Sequence, residues 1–487
     1  MFAIDPRSLA LFRIGLGTLL LADLVIRATD LTVMYTDEGM FPRAEICRLT
    51  SFWNWSFHFG SGSWTYQATL FGLAGCLALA LAVGFETRLA AIGSWLMLVS
   101  IHHRAPPILS GAENLLRMLL FWAMFLPLDR VWSVDGWLER RWGTAPASGR
   151  EATVLSVASA AILLQMALMY LFSAIFKTNP VWLRGEATAG ILAHNFYASP
   201  PGAYLLQFPR LLTAMTWGTF VLEWAAPLLL FAPRHTALLR LGTIAALAVM
   251  HVSIGVCLEV GLFSHVALVG LTLFLPAEFW NSRLLARFLP SPQRVELTGA
   301  KQIAHKRPQF SLGTQGLCLA LLLYVVALNI NSFPSHPLAP LTPERWKPLT
   351  RGLGLSQSWG MFESIPSKDG WYVARAKLKD GSEIDLLRQG APVDWNKPAF
   401  PARLYPNHYW QKLFREMAYD DEQGFQLLRA PVAQFLCRAW NARNPPEKQI
   451  ADFELIYCVV DKAAPGNMSD NPRIFREQLV HLDLSGS

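Results

Sequence analysis

The sequence predicts an all-α polytopic membrane bundle followed by a small α+β domain outside the membrane. Hydrophobic residues make up 53% of the chain and charged residues only 16%, against about 25% charged in soluble domains. Mean hydropathy is positive, at +0.29. Apolar residues gather in runs before Asn331 and alternate with polar residues after it. We therefore divide the chain into a transmembrane domain, residues 1–332, and a soluble domain, residues 333–487.

Nine apolar runs are candidate membrane spans. A helix needs about 17 to 25 apolar residues to cross a bilayer; the third and fourth runs are shorter, which leaves between eight and ten crossings open, with nine favoured. Asp5-Pro6 before the first run is a typical helix start, and no small-residue cleavage site follows that run, so we interpret it as a retained span. The nine runs are Leu9–Ile26, Thr69–Phe85, Leu89–Ile101, Leu115–Leu128, Val154–Phe176, Leu211–Phe231, Leu238–Leu258, Val260–Pro276 and Leu312–Ile330.

The distribution of Lys and Arg between the runs predicts the orientation. Loops with an excess of these residues face the cytoplasm. With nine spans, the basic segments 129–153, 232–240 and 277–311 lie on the same side as the N-terminus. We therefore expect a multi-pass protein of the plasma (inner) membrane of a bacterium, with a cytoplasmic N-terminus and an extracytoplasmic C-terminal domain. The charge pattern indicates membrane orientation, so membrane lipid is an expected partner and nucleic acid is not.

The soluble domain is predicted to mix strands and helices. Trp371–Leu378 and Glu383–Leu387 flank an Asp-Gly turn and are typical of a β-hairpin. Asp452–Val460 is predicted to be a third strand, and Tyr409–Met417 and Val432–Ala442 are predicted helices. Together these segments predict a small α+β domain.

Two groups of residues leave alternatives open. Cys437 and Cys458 lie in the soluble domain, where an oxidising compartment permits a disulfide, but two buried thiols are equally consistent with the sequence. His58, His102 and His103 could bind a metal ion together, yet no metal-binding spacing is present. We therefore expect no metal site.

Ionisable residues in or beside apolar runs are costly in lipid and are functional candidates. Lys177 ends the fifth run and has no acidic residue within four positions. One interpretation is a lysine that extends to the lipid headgroups. The other is an amine that burial leaves neutral and able to accept a proton.

Three further ionisable residues lie in these runs or at their ends. His251 is either a hydrogen-bonded packing residue or a functional one. Glu223 lies in the middle of the sixth run and needs a partner, which His251 or an arginine could be. Glu113 and Arg117 are four positions apart, so an ion pair on one helix face is expected, with a functional role for Glu113 as the alternative.

Four stretches of the sequence resemble the HTTM domain, the membrane domain shared by vitamin K-dependent γ-glutamyl carboxylase and many bacterial proteins. Residues 5–13, Asp-Pro-Arg-Ser-Leu-Ala-Leu-Phe-Arg, are similar to its start, and residues 132–136, Trp-Ser-Val-Asp-Gly, match a stretch of the carboxylase. Tyr170, Lys177, Trp182 and Gly185 follow a third pattern of the family. His251 with Gly-Leu-Phe-Ser at residues 261–264 is similar to a fourth. The resemblance covers roughly residues 1 to 330.

This resemblance implies an enzyme in which Lys177 is the catalytic base. His251 and Glu113 are further catalytic candidates, and Tyr170, Trp182 and Glu223 are candidates for contact with substrate or cofactor. A reduced quinone of the vitamin K type would be the cofactor, and a glutamate side chain of an exported peptide would receive carbon dioxide.

The sequence departs from the carboxylase at two places, and both bear on its activity. Phe176 precedes Lys177 where the carboxylase has a second lysine, and Ala112-Glu113-Asn114 replaces a stretch with a histidine. Another quinol-linked reaction is therefore an alternative to carboxylation. A second class of function is a non-catalytic maturation or chaperone factor that holds an exported protein client near the membrane.

Overall fold

The computed structural model describes residues 1–142, 153–194, 196–283, 311–333, 340–365, 369–418, 424–460 and 474–484. Each of the nine apolar runs predicted from the sequence forms a helix there. Five of these helices are long and apolar enough to cross a membrane, namely Pro6–Ala28, Trp64–Val83, Val157–Phe176, Thr236–Cys257 and Leu312–Asn331. The bundle is therefore that of a multi-pass membrane protein, while the number of nine crossings stays a prediction.

Shorter helices connect the long ones. The helices of the described residues up to 333 are α1 (Pro6–Ala28), α2 (Leu31–Tyr35), α3 (Arg43–Leu49), α4 (Trp64–Val83), α5 (Thr87–Arg104), α6 (Gly111–Ala123), α7 (Val134–Arg141), α8 (Val157–Phe176), α9 (Pro180–Leu183), α10 (Ala187–Ala193), α11 (Pro200–Tyr204), α12 (Pro209–Leu230), α13 (Thr236–Cys257), α14 (Phe263–Leu271), α15 (Ala277–Trp280) and α16 (Leu312–Asn331).

Side-chain caps fix where several of these helices begin. The carboxylate of Asp5 accepts a hydrogen bond from the backbone N–H of Arg7, and Pro6 occupies the first helical position of α1. This is the helix start that the sequence predicts, because a proline there loses no helical hydrogen bond. At α6, Ser110 and Glu113 form a reciprocal capping box.

The described C-terminal region contains one antiparallel sheet and three α-helices. The hairpin predicted from the Asp-Gly turn is confirmed, since Lys377 pairs with Glu383. The strand at residues 474–483 was not predicted. The strands lie in the order β2-β1-β3-β4, and the elements are α17 (Lys347–Gly352), β1 (Asp369–Leu378), β2 (Glu383–Asp385), α18 (His408–Ala418), α19 (Arg429–Asn441), β3 (Ile450–Val460) and β4 (Ile474–Asp483).

The C-terminal region packs on the bundle through a shared hydrophobic core. Tyr35 and Phe71 of the bundle belong to the same buried cluster as Leu413 and Phe414 of α18. Burial of apolar surface is the main favourable term in such packing. The division into two domains that fold separately therefore stays a prediction, and the described contacts join the two parts closely.

Cys437 and Cys458 are both free, buried thiols, so the alternative of two unbridged cysteines holds. Their places in the sheet explain this result. Successive side chains of a strand point to opposite faces. Phe453 and Leu455 of β3 share a buried cluster with Cys437 of α19, whereas Cys458 lies in the cluster on the other face.

Candidate functional site

Lys177 ends α8 and is buried, with 4% of its surface exposed. Its Nζ donates hydrogen bonds to both carboxylate oxygens of Glu223 on α12, at 2.6 and 2.7 Å, and to Ser173 Oγ at 2.6 Å. The Lys177 side chain turns into the protein, and its acidic partner lies 46 positions away in the sequence. The partner expected for Glu223 was His251 or an arginine, and that expectation is wrong because Lys177 fills the place.

Trp182 covers one side of this ion pair. The centre of its ring system lies 5.1 Å from Lys177 Nζ, a separation at which the negative face of an aromatic ring attracts a cation. Its indole Nε1 donates to the backbone carbonyl of Phe362, at 2.9 Å. Trp182 is thus fixed between the lysine and a segment of the C-terminal region.

Tyr170 and His251 form a second polar contact in the same part of the bundle. The hydroxyl of Tyr170 and Nε2 of His251 are 2.9 Å apart, and either atom can be the donor, depending on the histidine tautomer. Tyr170 lies seven residues before Lys177 on the same helix, so the two side chains share a face. His251 is close enough to Lys177 for the charge of the lysine to act on it, and Tyr170 is close enough to Glu223 for the charge of the carboxylate to act on it.

His251 keeps one ring nitrogen without a partner. The residue is 1% exposed, and its Nδ1 has no hydrogen-bond partner among the described residues. The ring of Phe263 packs against it, with centroids 5.7 Å apart. This atom therefore has unused hydrogen-bonding capacity, as have several other buried side-chain atoms of the described residues.

Glu113 lies in a different buried cluster. Its Oε2 accepts hydrogen bonds from the backbone N–H and the hydroxyl of Ser110, at 2.7 and 2.6 Å, and its Oε1 is 3.4 Å from Arg27. The predicted ion pair with Arg117 is wrong. Arg117 instead donates to the carbonyls of Gly354 and Ser356, both at 2.6 Å, because the capping box turns Glu113 back towards Ser110.

Sequence reasoning missed the residues that join this second cluster to the C-terminal region. Arg27 pairs with Asp23 at 2.7 Å, one turn away on α1. Tyr409 of α18 donates to Asp23, and its ring lies 4.2 Å from the guanidinium carbon of Arg27. The spacing of Asp23 and Arg27, at the end of the first apolar run, was the feature of the sequence that could have indicated this cluster. The contact with Tyr409 joins residues far apart in sequence, so no sequence pattern indicated it.

A cavity of about 360 Å³ lies between the bundle and the C-terminal region. None of the six predicted site residues lines it, but Phe263, which packs on His251, and Phe362, which holds Trp182, both do. Partial burial raises the pKa of Glu363 at its edge. Burial lowers the pKa of His408, and the nearby charge of Glu113 partly offsets this effect. The aromatic and charged residues that line the cavity include Phe196, Tyr197, Phe263, Phe362, Glu259, Glu363, Lys412 and Arg415.

The three histidines considered as metal ligands are engaged separately. His58 Nδ1 is 2.6 Å from Gln67 Oε1, His102 Nδ1 is 3.2 Å from Arg117, and His103 Nδ1 is 2.8 Å from a backbone carbonyl. In the part of the chain that the structure describes, no group of three or more His, Cys, Asp or Glu residues could hold a metal ion.

The two stretches at residues 5–13 and 132–136 serve a structural purpose away from Lys177. Arg13 donates to the carbonyl of Trp132 at 2.5 Å. Asp135 accepts hydrogen bonds from the backbone N–H groups of Glu86 and Thr87, at 2.8 and 2.9 Å, and so caps α5. The other two stretches, around Lys177 and around His251, supply the candidate site.

A family model of the HTTM domain matches residues 2–280. These residues include Lys177, Glu223, Tyr170 and His251, and they exclude α16 and all of the C-terminal region. No curated protein and no solved structure matches the chain.

Proposed function

Because this chain belongs to the HTTM-domain family, we propose that it is a quinol-linked membrane enzyme with carboxylase-like chemistry, in which Lys177 and Glu223 together handle a proton. The observation that carries the proposal is their buried contact at 2.6 Å. A pair of ionisable residues inside a membrane bundle is expensive to keep and is a functional candidate by default. The resemblance of the sequence around Lys177 to the carboxylase supports the choice of chemistry.

The residues around Lys177 fit a reduced quinone. The group has a flat ring and hydroxyl oxygens that donate and accept hydrogen bonds. His251 Nδ1 is buried without a partner among the described residues, and Trp182 presents an aromatic surface beside Lys177. Tyr170, Trp182 and Glu223 would hold the ring and its hydroxyl. When bound, a quinol would supply two electrons and two protons to an oxidant such as dioxygen and would itself become the quinone.

The protein's own groups can hold and pass a proton. Lys177 Nζ and the Glu223 carboxylate are close enough for a proton on one to remain hydrogen-bonded to the other. Ser173 Oγ donates to Glu223 Oε1 at 3.2 Å and is the third member of this hydrogen-bonded group. This differs from a lone lysine base, because the amine is hydrogen-bonded to a carboxylate. We therefore assign proton transfer to the pair.

The proposed location suits two substrates with different solubility. A quinol reaches the site through lipid, while an exported peptide and carbon dioxide or bicarbonate arrive from water. The cavity between the bundle and the C-terminal region supports access from the water side, because its walls carry both aromatic rings and charges. We propose that this side is the extracytoplasmic face of the inner membrane.

The test uses the full chain in lipid nanodiscs with a reduced naphthoquinone, a glutamate-containing peptide and labelled bicarbonate. Quinol oxidation and label incorporation are measured for the wild type and for Lys177→Ala, Lys177→Arg and Glu223→Gln. Each variant should lower the rate by about 10²-fold or more, the usual contribution of a positioned acid or base. Trp280→Phe is the control, since its indole bonds to Ser8, near the start of α1. Full activity of Lys177→Arg, or a wild type that neither binds nor oxidises the quinol, would refute the proposal.

A maturation or chaperone role is the second candidate, and one observation favours it. In the described sheet, β4 lies at an edge and pairs with β3 alone. It exposes Ile474 and Phe475, at 42% and 56%, and such an edge can accept an extended segment of another protein. This role predicts that Phe475→Asp abolishes the cellular function while Lys177→Arg preserves it.

A further inference from the structure

Residues 352–363, which we call the strap, leave α17 and enter the bundle. Trp359 is 0% exposed and belongs to the main hydrophobic core of the bundle. Gln357 Oε1 accepts a hydrogen bond of 2.7 Å from Gln165, a buried residue of α8. The strap lies after the last residue that the family model matches, residue 280.

Side chains of the bundle hold the strap by its backbone. Arg117 donates to the carbonyls of Gly354 and Ser356, both at 2.6 Å. Trp55 Nε1 donates to the carbonyl of Gly352 at 2.7 Å. Bonds from a charged donor such as Arg117 are stronger than neutral ones, so we expect this anchor to contribute most.

The far end of the strap contacts the residues that follow Lys177. Asn179 donates to the carbonyl of Glu363 at 2.7 Å, and Trp182 donates to the carbonyl of Phe362 at 2.9 Å. Without the second carbonyl, the buried indole N–H would lack an acceptor. The strap therefore determines where Trp182 lies relative to Lys177.

The strap contacts both the cavity and the residue beside Lys177. Met361 and Phe362 line the cavity. The backbone carbonyl of Phe362 also accepts the hydrogen bond from Trp182, whose ring lies 5.1 Å from Lys177 Nζ.

We propose that the strap is part of the site: it positions Trp182 over Lys177 and closes the Lys177–Glu223 pair against water. Residues outside the HTTM domain then determine which molecules reach the lysine. The consequence for substrate selection rests on the proposed function. Closure of the strap can be measured without an activity assay. The closure and the proposed function can therefore be refuted separately.

The experiment is acylation of the full chain in nanodiscs with a water-soluble, sulfonated N-hydroxysuccinimide ester, followed by mass spectrometry. Lys177 should react at least about tenfold more slowly than Lys347, because its labelling requires local opening; the Lys347 side chain is 58% exposed. Trp182→Phe removes the indole donor but keeps an aromatic ring, and Arg117→Met removes the anchor at the other end. Both should raise the labelling of Lys177 several-fold.

One control separates opening of the strap from other causes. Trp280→Phe also removes one buried indole hydrogen bond, the one to Ser8, and should leave the labelling of Lys177 unchanged.

Lys397 in the same samples reports general unfolding, which would raise its labelling together with that of Lys177. The proposal is overturned if wild-type Lys177 reacts as fast as Lys347. This comparison uses the wild type alone and does not depend on whether a variant folds. It is also overturned if neither strap variant raises the labelling of Lys177 above that of Trp280→Phe.

Discussion

Removing one partner of the Lys177–Glu223 pair should destabilise the bundle far more than removing both. Their side chains are 5% and 7% exposed, so a single substitution leaves a buried charge without its counter-charge. Breaking a buried pair in this way costs about 3–5 kcal/mol, whereas replacing both charges by neutral side chains of similar volume is often neutral or stabilising. Lys177→Met and Glu223→Gln should each approach that cost. The double variant should lie within about 1 kcal/mol of the wild type, since no charge is left unpaired.

The free energy of unfolding can be measured by titration with SDS in mixed micelles, followed by tryptophan fluorescence. The matched control is the Lys347–Glu344 pair, which has a similar distance of 2.5 Å but side chains that are 58% and 80% exposed. Solvent screening limits such a surface pair to about 0–1 kcal/mol. Single effects at Lys177 and Glu223 that simply add in the double variant would refute the reasoning, because independent residues show no coupling energy.

Four other predictions concern topology and the contact between the two parts. Reporter fusions after residues 150 and 337 should report opposite sides of the membrane, and equal signals would contradict the nine-span orientation. Residues 343–487 expressed alone should give a mixed α/β circular dichroism spectrum with lower thermal stability than in the full chain, because the face of α18 that packs on the bundle becomes exposed; a disordered spectrum would contradict independent folding. Tyr409→Phe removes a donor to Asp23 and should cost about 1–3 kcal/mol in SDS unfolding, while Tyr66→Phe, an exposed tyrosine, should cost little. Burial lowers the pKa of His408 below its usual 6.5, so the unfolded chain binds more protons and stability should fall as the pH drops below about 6.5; His408→Gln should flatten thermal stability between about pH 7 and 5, and an unchanged slope would contradict this origin.

Local sequence patterns predicted the parts of the fold that depend on near neighbours. The apolar runs form helices because each run supplies its own backbone hydrogen bonds, and Asp5-Pro6 begins α1 as expected. The hairpin follows from an Asp-Gly turn between alternating strands. The strand at residues 474–483 has adjacent apolar residues at Ile474 and Phe475 followed by charges, so no alternation indicates it. Its formation depends on pairing with β3, which is not a local property.

The candidate site was predicted as a set of residues but not as a set of contacts. Lys177 was predicted as an ionisable residue at the end of an apolar run, and Tyr170 and Trp182 were found through the resemblance. The sequence could not reveal that Lys177 binds Glu223, which is 46 positions away. The helical spacing of Glu113 and Arg117 predicted an ion pair that does not form. Spacing shows only that two side chains can meet, and here the cap at Ser110 and the strap carbonyls at Gly354 and Ser356 provide better partners.

Both buried charge clusters of the bundle are paired internally, and each lies near a buried histidine nitrogen without a partner among the described residues. Arg27 uses all three of its nitrogens, on Asp23, Tyr35 and Glu113, and the Lys177–Glu223 pair is matched in charge. In the described part of the chain, His408 Nε2 is unpartnered near Glu113 and Arg27, and His251 Nδ1 is unpartnered near Lys177. A bound molecule could gain a hydrogen bond at either nitrogen without displacing one. The choice of Lys177 as the functional centre therefore rests on the family resemblance around it and not on the satisfaction of the buried charges.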